Sequence, residues 1–468
     1  MAMLELKGSK VLVLGLGDTG LSMARWLTRH GACVSVADTR ADPPHAGELG
    51  RELPEVALAC GEFREAGMHK ADLIAISPGV DRRTPAVAAA IKRGVPVVGD
   101  IELFARGLAQ VISHPSPLVP PSILGITGTN GKTTVTRMAG DICAAAGLDT
   151  KVAGNIGTPA LEVLTAIENG GAVPDAVVLE LSSFQLESTA SLNAGAATML
   201  NLSPDHLDRY DGINAYAAAK ARVFNGNGAQ VLNRDDALSG AMARPGRIVY
   251  RFGLDVPRES NEWGLVRRER QVWLARGDRT LMPTDELPVT GMHNAANALA
   301  AAALCHAIGI AEAPITAALR AFRGLPHRVE QVAVINGITF YDDSKGTNVG
   351  STVAALNGFA RPVVLIAGGD GKGQDFAPLR APITRQARAV VLIGRDRERI
   401  AAALEGCGVP LERAADMEQA VRKALAVCRG GDAVLLSPAC ASFDMFRNYV
   451  HRGEVFAAAV RALARRKQ

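Results

Sequence analysis

The segment Gly125-Ile126-Thr127-Gly128-Thr129-Asn130-Gly131-Lys132-Thr133-Thr134 constrains the fold of this chain more than any other. It follows a short apolar strand, Ile123-Leu124, and opens a helix that the pattern carries to about Ala146. A glycine-rich turn between strand and helix points backbone N–H groups inward. The helix N-terminus adds partial positive charge, so the turn suits phosphate. In such a loop Lys132 reaches the β- and γ-phosphates and the Thr133 hydroxyl ligates Mg²⁺. The usual spacing puts a glycine where Ile126 stands, and here the glycines fall at Gly125 and Gly128 instead. The Gly-Lys-Thr core with its strand and helix flanks still favours a phosphate loop over an ordinary tight turn.

The chain has 468 residues, too many for one core, and suggests about three domains. It is 48% hydrophobic and 21% charged, which fits a globular α/β enzyme rather than a disordered or fibrous chain. A net charge of +4 is small for this length and makes no case for nucleic acid. The seven cysteines show no Cys-x-x-Cys pair or metal spacing and read as reduced thiols of a cytoplasmic protein. Met1-Ala-Met-Leu-Glu5 leads directly toward a strand, so no signal peptide is expected. The longest apolar stretch, Ala295–Ala311, carries Asn297 and His306 and reads as a buried helix, too short and polar to span a membrane.

Three consecutive α/β domains are predicted. In 1–99, the strand Val11–Leu14 runs into Gly15-Leu-Gly17-Asp-Thr-Gly20 and a helix, and the next strand, Cys33–Ala37, ends at Asp38. This is a Rossmann-like fingerprint with its acid about twenty residues on. His114-Pro-Ser-Pro-Leu-Val-Pro-Pro121 reads as a loop or linker. The central domain, 100–324, is P-loop ATPase-like, with strands at Ala176–Glu180 and Ala196–Leu200 and a helix over Ile213–Phe224. Short antiparallel strands are expected between Arg247 and Leu274, at the sheet edge. A second Rossmann-like domain, 325–468, carries strands at Ile338–Tyr341, Val363–Ala367, Val390–Ile393 and Val434–Leu436. Ligands of such sheets sit at the carboxyl ends of strands, where the candidate motifs fall.

Further segments follow in order: Gly154-Asn-Ile-Gly157, Glu180-Leu-Ser-Ser-Phe-Gln-Leu-Glu187, Asn201-Leu-Ser-Pro-Asp-His-Leu-Asp208, Tyr216-Ala-Ala-Ala-Lys220 and Gly291-Met-His-Asn-Ala-Ala-Asn297. Then come Gly324-Leu-Pro-His-Arg328, Asp343-Ser-Lys-Gly-Thr-Asn348, Gly368-Gly-Asp-Gly-Lys372 and Ser437-Pro-Ala-Cys-Ala-Ser442. With the phosphate loop, these resemble the Mur ligases of peptidoglycan synthesis over nearly the whole chain. The resemblance is closest to the branch that adds D-glutamate. Sister ligases that add meso-diaminopimelate or lysine carry an Asp-Tyr-Ala-His type motif where this chain has Asp343-Ser-Lys-Gly-Thr347, and the Asp-Asn-Pro-Arg segment that resembles diaminopimelate recognition is missing.

The resemblance implies a reaction. ATP phosphorylates the terminal carboxylate of UDP-N-acetylmuramoyl-L-alanine, and the amine of D-glutamate attacks the acyl phosphate. Several negative charges meet, so catalysis requires positioning and charge neutralisation. Gly128, Thr129, Asn130, Gly131, Lys132, Thr133 and Thr134 match the ATP loop, with Asn297, Arg328 and Asp343 as further nucleotide contacts. Arg328 would reach phosphates across the cleft, drawing the third domain inward on ATP binding. Asp343 would accept ribose hydroxyls, and Lys345 would lie near the phosphates. Lys132, His206, Lys220 and Lys345 are the catalytic candidates. Two Mg²⁺ sites are implied, drawing on Thr133, Glu180, His206 and Lys220. On its alanine-rich helix Lys220 would read as a solvated surface lysine. In the family the matching lysine is carbamylated by CO₂, which requires a neutral amine and so a lowered pKa.

Thr347, Lys372, Ser442 and Tyr449 match acceptor-binding positions for D-glutamate, the last often phenylalanine in the family. Asp18, Thr19, Asp38, Thr39, Arg40, Gly79 and Asn155 match positions for the UDP-linked substrate. Taken alone, the first glycine motif with Asp38 would predict NAD, and Asp18 is an acid beside a pyrophosphate turn. A monomeric, cytoplasmic, ATP-dependent amide ligase is therefore expected, with no nucleic-acid or membrane partner. The alternatives are a sister Mur or folylpolyglutamate-type ligase, a dehydrogenase with an accessory ATPase, and a nucleotide-gated interaction protein.

Overall fold

The computed structural model describes residues 5–112, 120–206, 208–289 and 291–465. Most of the proline-rich stretch, the first four residues and Leu207 of the Asn201–Asp208 segment lie outside them. Three sheets organise the chain. The first has five strands in the order Ala57–Cys60, Cys33–Asp38, Lys10–Leu14, Leu73–Ile76, Val97–Val98. All are parallel. The order reverses beside Lys10–Leu14, so the crevice for a ligand opens at the glycine turn Gly15–Gly20.

The second sheet has nine strands. Its parallel heart is Ala229–Asn233, Ala196–Met199, Ser122–Thr127, Ala176–Glu180 and Thr150–Gly154. Val249–Phe252 and Glu262–Arg268 extend it in parallel, and Gln271–Arg276 and Arg279–Pro283 close the edge as an antiparallel meander. The predicted edge hairpin is thus present but begins later, at Glu262, because Val249–Phe252 still pairs in parallel. The central strands Leu124, Ile126, Val177, Val178 and Leu179 are fully buried, as expected of a sheet covered on both faces. The helix Met292–His306 occupies the predicted apolar stretch and packs on Lys132–Ala145. No helix among the described residues is long and apolar enough to cross a membrane.

The third sheet runs Glu330–Ile335, Ile338–Asp342, Ala433–Leu436, Val363–Gly368, Ala387–Ile393, Leu411–Arg413. Only its first pair is antiparallel. Its two apolar clusters stay within its own elements. The first two sheets behave differently. One continuous apolar cluster joins Val11, Trp26 and Phe104 to Leu161, Leu164 and Leu179. Trp26 Nε1 also donates to Glu168 at 3.3 Å, and Gln185 Nε2 donates to Asp100 at 2.8 Å. The first and central sheets are therefore packed as one body, while the third meets the central one through polar contacts. Asn348 Nδ2 donates to Asn130 Oδ1 at 2.9 Å, and Ser351 Oγ donates to the same oxygen at 2.6 Å.

Close approach of the helices Asp100–Ile112 and Ala160–Glu168 depends on Gly107. A Cβ there would lie 2.5 Å from Leu164 Cδ2 and 2.9 Å from Trp26 Cζ2. Both neighbours are buried, so Gly107→Leu is expected to cost about 1–3 kcal/mol of stability by overpacking. Urea unfolding of the variant measures this, and an unchanged midpoint would show that the two units are not packed as one.

Candidate active site

The phosphate loop lies between the strand Ser122–Thr127 and the helix Lys132–Ala145. Gly131 caps that helix with φ of 84°, and a Cβ there would come within 2.5 Å of Asn297 Oδ1. Only glycine admits both the left-handed backbone and the close approach of the nucleotide-side asparagine. Lys132 Nζ donates to the Gly128 and Thr129 carbonyls, each at 2.9 Å, so the loop holds its own lysine over the phosphate seat. Asn201 braces the loop from below. Its Oδ1 accepts from the Asn130 N–H at 2.9 Å and its Nδ2 donates to the Asn130 carbonyl at 3.0 Å.

Lys220 is not a surface lysine. It is 1% exposed, and Nζ donates to the Gly128 carbonyl at 2.8 Å and to Thr127 Oγ1 at 3.3 Å. The Tyr216 ring lies 4.8 Å from the same nitrogen. Burial, reinforced by Lys132, drives the Lys220 ammonium well below the ordinary lysine range. Composition hides this because the neighbouring residues are alanines. The clue in the chain is Tyr216, one helical turn before Lys220 and pointing to the same face.

Glu180 ends the neighbouring strand and is 2% exposed. Its Oε1 accepts from Asn155 Nδ2 at 2.9 Å, while Oε2 is buried with no hydrogen-bond partner among the described residues. A buried carboxylate oxygen left unpaired beside two lysines is the donor a hard divalent cation requires. His206 sits at φ of 54°, edge-on to Phe184 at 4.7 Å, and burial lowers its pKa. A neutral imidazole keeps a nitrogen lone pair that could serve a cation, and its nearest charged neighbour is Asp205, at 3.7 Å. Thr133 is engaged elsewhere, its hydroxyl accepting from Arg328 Nη2 at 2.6 Å.

That bond crosses from the third domain. Arg328, Asp343 and Lys345 line, with Asn130, Gly131, Asn297 and His293, a cavity of about 620 Å³ between the central and third sheets. Burial pushes the Asp343 carboxyl up to about 7, although Ser437 Oγ donates to it at 2.7 Å. Burial, with Arg328 close by, brings Lys345 down to about 8. Lys345 Nζ rests 3.8 Å from the Tyr449 ring centre. Tyr449 thus supports the lysine through its ring face, a contact that phenylalanine would also make.

Thr347, Lys372 and Ser442 belong to three turns at the carboxyl ends of strands Ile338–Asp342, Val363–Gly368 and Ala433–Leu436. Backbone bonds tie these turns together: Ala439 N–H donates to the Gly346 carbonyl at 2.9 Å, and Asp370 and Ala441 exchange both bonds, at 3.0 and 2.8 Å. Ser442 is buried and Thr347 half-buried. Lys372 Nζ reaches across to Asp205 Oδ1 at 3.3 Å. Asp205 was passed over in the sequence because its neighbour His206 drew the metal reading.

In the first domain, Asp38 is closed to a ribose. Its carboxylate accepts from Leu16 N–H at 2.6 Å, Arg40 N–H and Nε at 2.8 Å, and Arg40 Nη2 at 2.6 Å. Arg40 therefore holds Asp38 down to about 2. An acid so saturated organises the glycine turn rather than reading an NAD ribose. Asp18 is turned to His45 Nε2 at 2.7 Å. Thr39, Arg40 and Gly79 are exposed around the crevice, with Thr19 partly so. Ser77 Oγ, unnoticed in the sequence, donates to the Gly15 carbonyl at 2.9 Å and links the Gly79 turn to the glycine turn.

A phosphate loop whose lysines converge on an unpaired carboxylate, next to a cavity that the third domain closes, defines a phosphate-handling site. The family profiles agree segment by segment. Residues 9–99 match the MurD-like N-terminal domain of Mur ligases, 126–305 the Mur ligase middle domain and 327–440 the Mur ligase glutamate ligase domain. The chain belongs to the Mur ligase family. It is 56% identical to a protein of Nitrosospira multiformis named UDP-N-acetylmuramoylalanine–D-glutamate ligase, over 98% of this chain and 97% of that one. A protein of the same name from Methylobacillus flagellatus is 58% identical over 99% of both chains. Among solved structures, UDP-N-acetylmuramate-alanine ligase MurC from Thermotoga maritima shares the fold, with a TM-score of 0.60 at 19% identity over 97% of this chain and all of that one.

The Lys345 ammonium is charged below about pH 8 and loses its proton above it. Affinity for a non-hydrolysable ATP analogue is therefore expected to fall as pH rises through about 8, and Lys345→Ala to abolish that limb. Calorimetric titration between about pH 6.5 and 9.5 checks this; a wild-type profile flat across that range would remove Lys345 from phosphate binding.

Proposed function

We propose that this chain is an ATP-dependent ligase that adds D-glutamate to UDP-N-acetylmuramoyl-L-alanine in the cytoplasm, as a monomer, for peptidoglycan precursor synthesis. The observation that carries the reading is the meeting of Lys132, Lys220 and the unpaired Glu180 oxygen beneath a cavity that Arg328 and Lys345 close from the third domain. The near full-length identity to ligases of that name supports the choice of acceptor. We take 1–99 as the unit for the UDP-linked substrate, 100–324 for ATP and 325–468 for D-glutamate.

In the first step a carboxylate oxygen of the L-alanyl group attacks the γ-phosphorus, and the bond to ADP breaks. Lys132 from the central domain and Lys345 and Arg328 from the third offset the charge on the phosphoryl oxygens. In the second step the D-glutamate amine attacks the acyl carbon. The carbon–oxygen bond to phosphate breaks, and the amine gives up a proton as the amide forms. Glu180, His206 and a carbamylated Lys220 would hold Mg²⁺, which supplies charge neutralisation at the phosphates when bound. Carbamylation joins the neutral Lys220 nitrogen to the carbon of CO₂ with loss of one proton. The lowered pKa of that amine supports the step. Thr133 would join the metal ligands once Arg328 releases its hydroxyl to bond phosphate. Lys372, Thr347, Ser442 and Tyr449 would hold the two carboxylates of D-glutamate. Thr19, Thr39, Arg40, Gly79 and Asn155 would contact the UDP-linked substrate, with Asp18 and Asp38 shaping the turn around it.

Two results are expected. Phosphate release from ATP with UDP-N-acetylmuramoyl-L-alanine should require D-glutamate and fail with L-glutamate, L-lysine or meso-diaminopimelate. Turnover with one of the others instead would move the chain to a sister ligase. Native mass spectrometry should show Lys220 carrying the mass of one CO₂, lost on acidification, and Lys220→Ala should lower kcat by at least about a hundredfold, the scale of a lost charge-stabilising group. Wild-type activity in that variant would end the carbamate reading.

A further inference from the structure

We propose that Arg209 is a positioning residue for the UDP-linked substrate, an inference that rests on the reading above. The turn Pro78-Gly79-Val80 forms one lip of the first domain's crevice, at the carboxyl end of the strand Leu73–Ile76. Arg209 belongs to the central domain, three residues after His206, and is 8% exposed. Its Nη1 donates to the Pro78 carbonyl at 2.8 Å and its Nη2 to the Val80 carbonyl at 3.1 Å. The two bonds bracket Gly79. Nη2 also donates to Glu187 Oε2 at 2.9 Å, which anchors the guanidinium to the central domain.

The other face of the same group lies 4.0 Å over the Phe184 ring, and Phe184 meets His206 edge-on at 4.7 Å. Arg209 N–H donates to the His206 carbonyl at 2.9 Å, closing the turn that carries the imidazole. One side chain therefore fixes the crevice lip on one side and the His206 turn on the other. The surroundings hold this seam. Arg83 Nη2 donates to the Asp208 carbonyl at 2.8 Å, and Arg82 and Arg222 both donate to the Glu187 carbonyl. Those contacts tie the segments together but none of them touches Gly79's neighbours on both sides.

A planar guanidinium can span two carbonyls while its face stacks on an aromatic ring, and neither lysine nor methionine can do both. The geometry thus joins the distance between the UDP-binding lip and the reacting carboxylate to the position of His206. Truncation should loosen the lip without touching the nucleotide cavity, which Arg209 does not line.

The test is calorimetric binding of UDP-N-acetylmuramoyl-L-alanine and, separately, of a non-hydrolysable ATP analogue to wild type, Arg209→Lys and Arg209→Met. Melting temperature is followed in parallel, and Arg209→Lys carries the comparison if Arg209→Met does not fold. The expected result is a rise of at least about tenfold in the Kd of the UDP-linked substrate, the scale of lost charge-assisted hydrogen bonds, with the Kd of the ATP analogue, measured without Mg²⁺ so that the His206 turn does not enter, unchanged. Unchanged substrate affinity in folded variants would overturn the inference. A parallel loss of affinity for both ligands would overturn it too, since a general loss of structure predicts that pattern. Failure of the wild type to bind the UDP-linked substrate at all would overturn the proposed function and this inference with it.

Discussion

Like charges crowded into a desolvated cleft are the constraint on which the rest of this structure depends. Lys132, Lys220, Lys345 and Arg328 converge around Glu180, and burial lowers the pKa of every one of them. A cluster of this kind opposes folding unless its donors find oxygen partners. The chain meets that demand with backbone carbonyls, at Gly128 and Thr129 for Lys132 and at Gly128 for Lys220. Carbonyls satisfy the N–H groups but leave the positive charge uncancelled. The cleft therefore favours whatever brings several negative charges at once, which is the character of a triphosphate meeting a carboxylate.

The architecture divides this task between a fixed part and an adjustable one. The first two sheets share one apolar core, so the first domain's crevice and the phosphate loop are carried on one packed body. Arg328 lies on the short connection into the third domain, with Gly324 at φ of 82° and His327 and Val329 at 60° and 51°. A β-branched residue in the left-handed region is strained. The strain sits on both sides of the arginine that reaches Thr133, where a change in domain position would have to be absorbed.

Local chemistry was legible in the sequence and long-range packing was not. The phosphate loop, the strand ends at Glu180 and Asp343 and the buried helix around Ala298 all follow from spacing within some twenty residues. Lys220 is the contrary case. Its alanine neighbours read as a solvated face, and the burial comes from Tyr216 and the loop carbonyls, which lie about ninety residues upstream in sequence. Asp38 shows the same limit at closer range. The fingerprint locates the acid correctly, but only the structure reveals that Arg40, two residues on, consumes its oxygens. The fused core of the first two domains was invisible because each glycine motif predicts its own sheet and neither predicts how the sheets meet. Arg209 went unread because the two bonds that reach the first domain go to backbone carbonyls about 130 residues away, which leave no trace in side-chain patterns.

The central claim is that the cleft carries a carboxylate through an acyl phosphate. The most direct measurement is to supply UDP-N-acetylmuramoyl-L-alanine with both carboxylate oxygens as ¹⁸O and to analyse the phosphate released during ligation by mass spectrometry. Transfer of one ¹⁸O into each phosphate is predicted, since the attacking oxygen leaves with the phosphoryl group. Phosphate free of ¹⁸O, formed alongside the amide, would contradict the account.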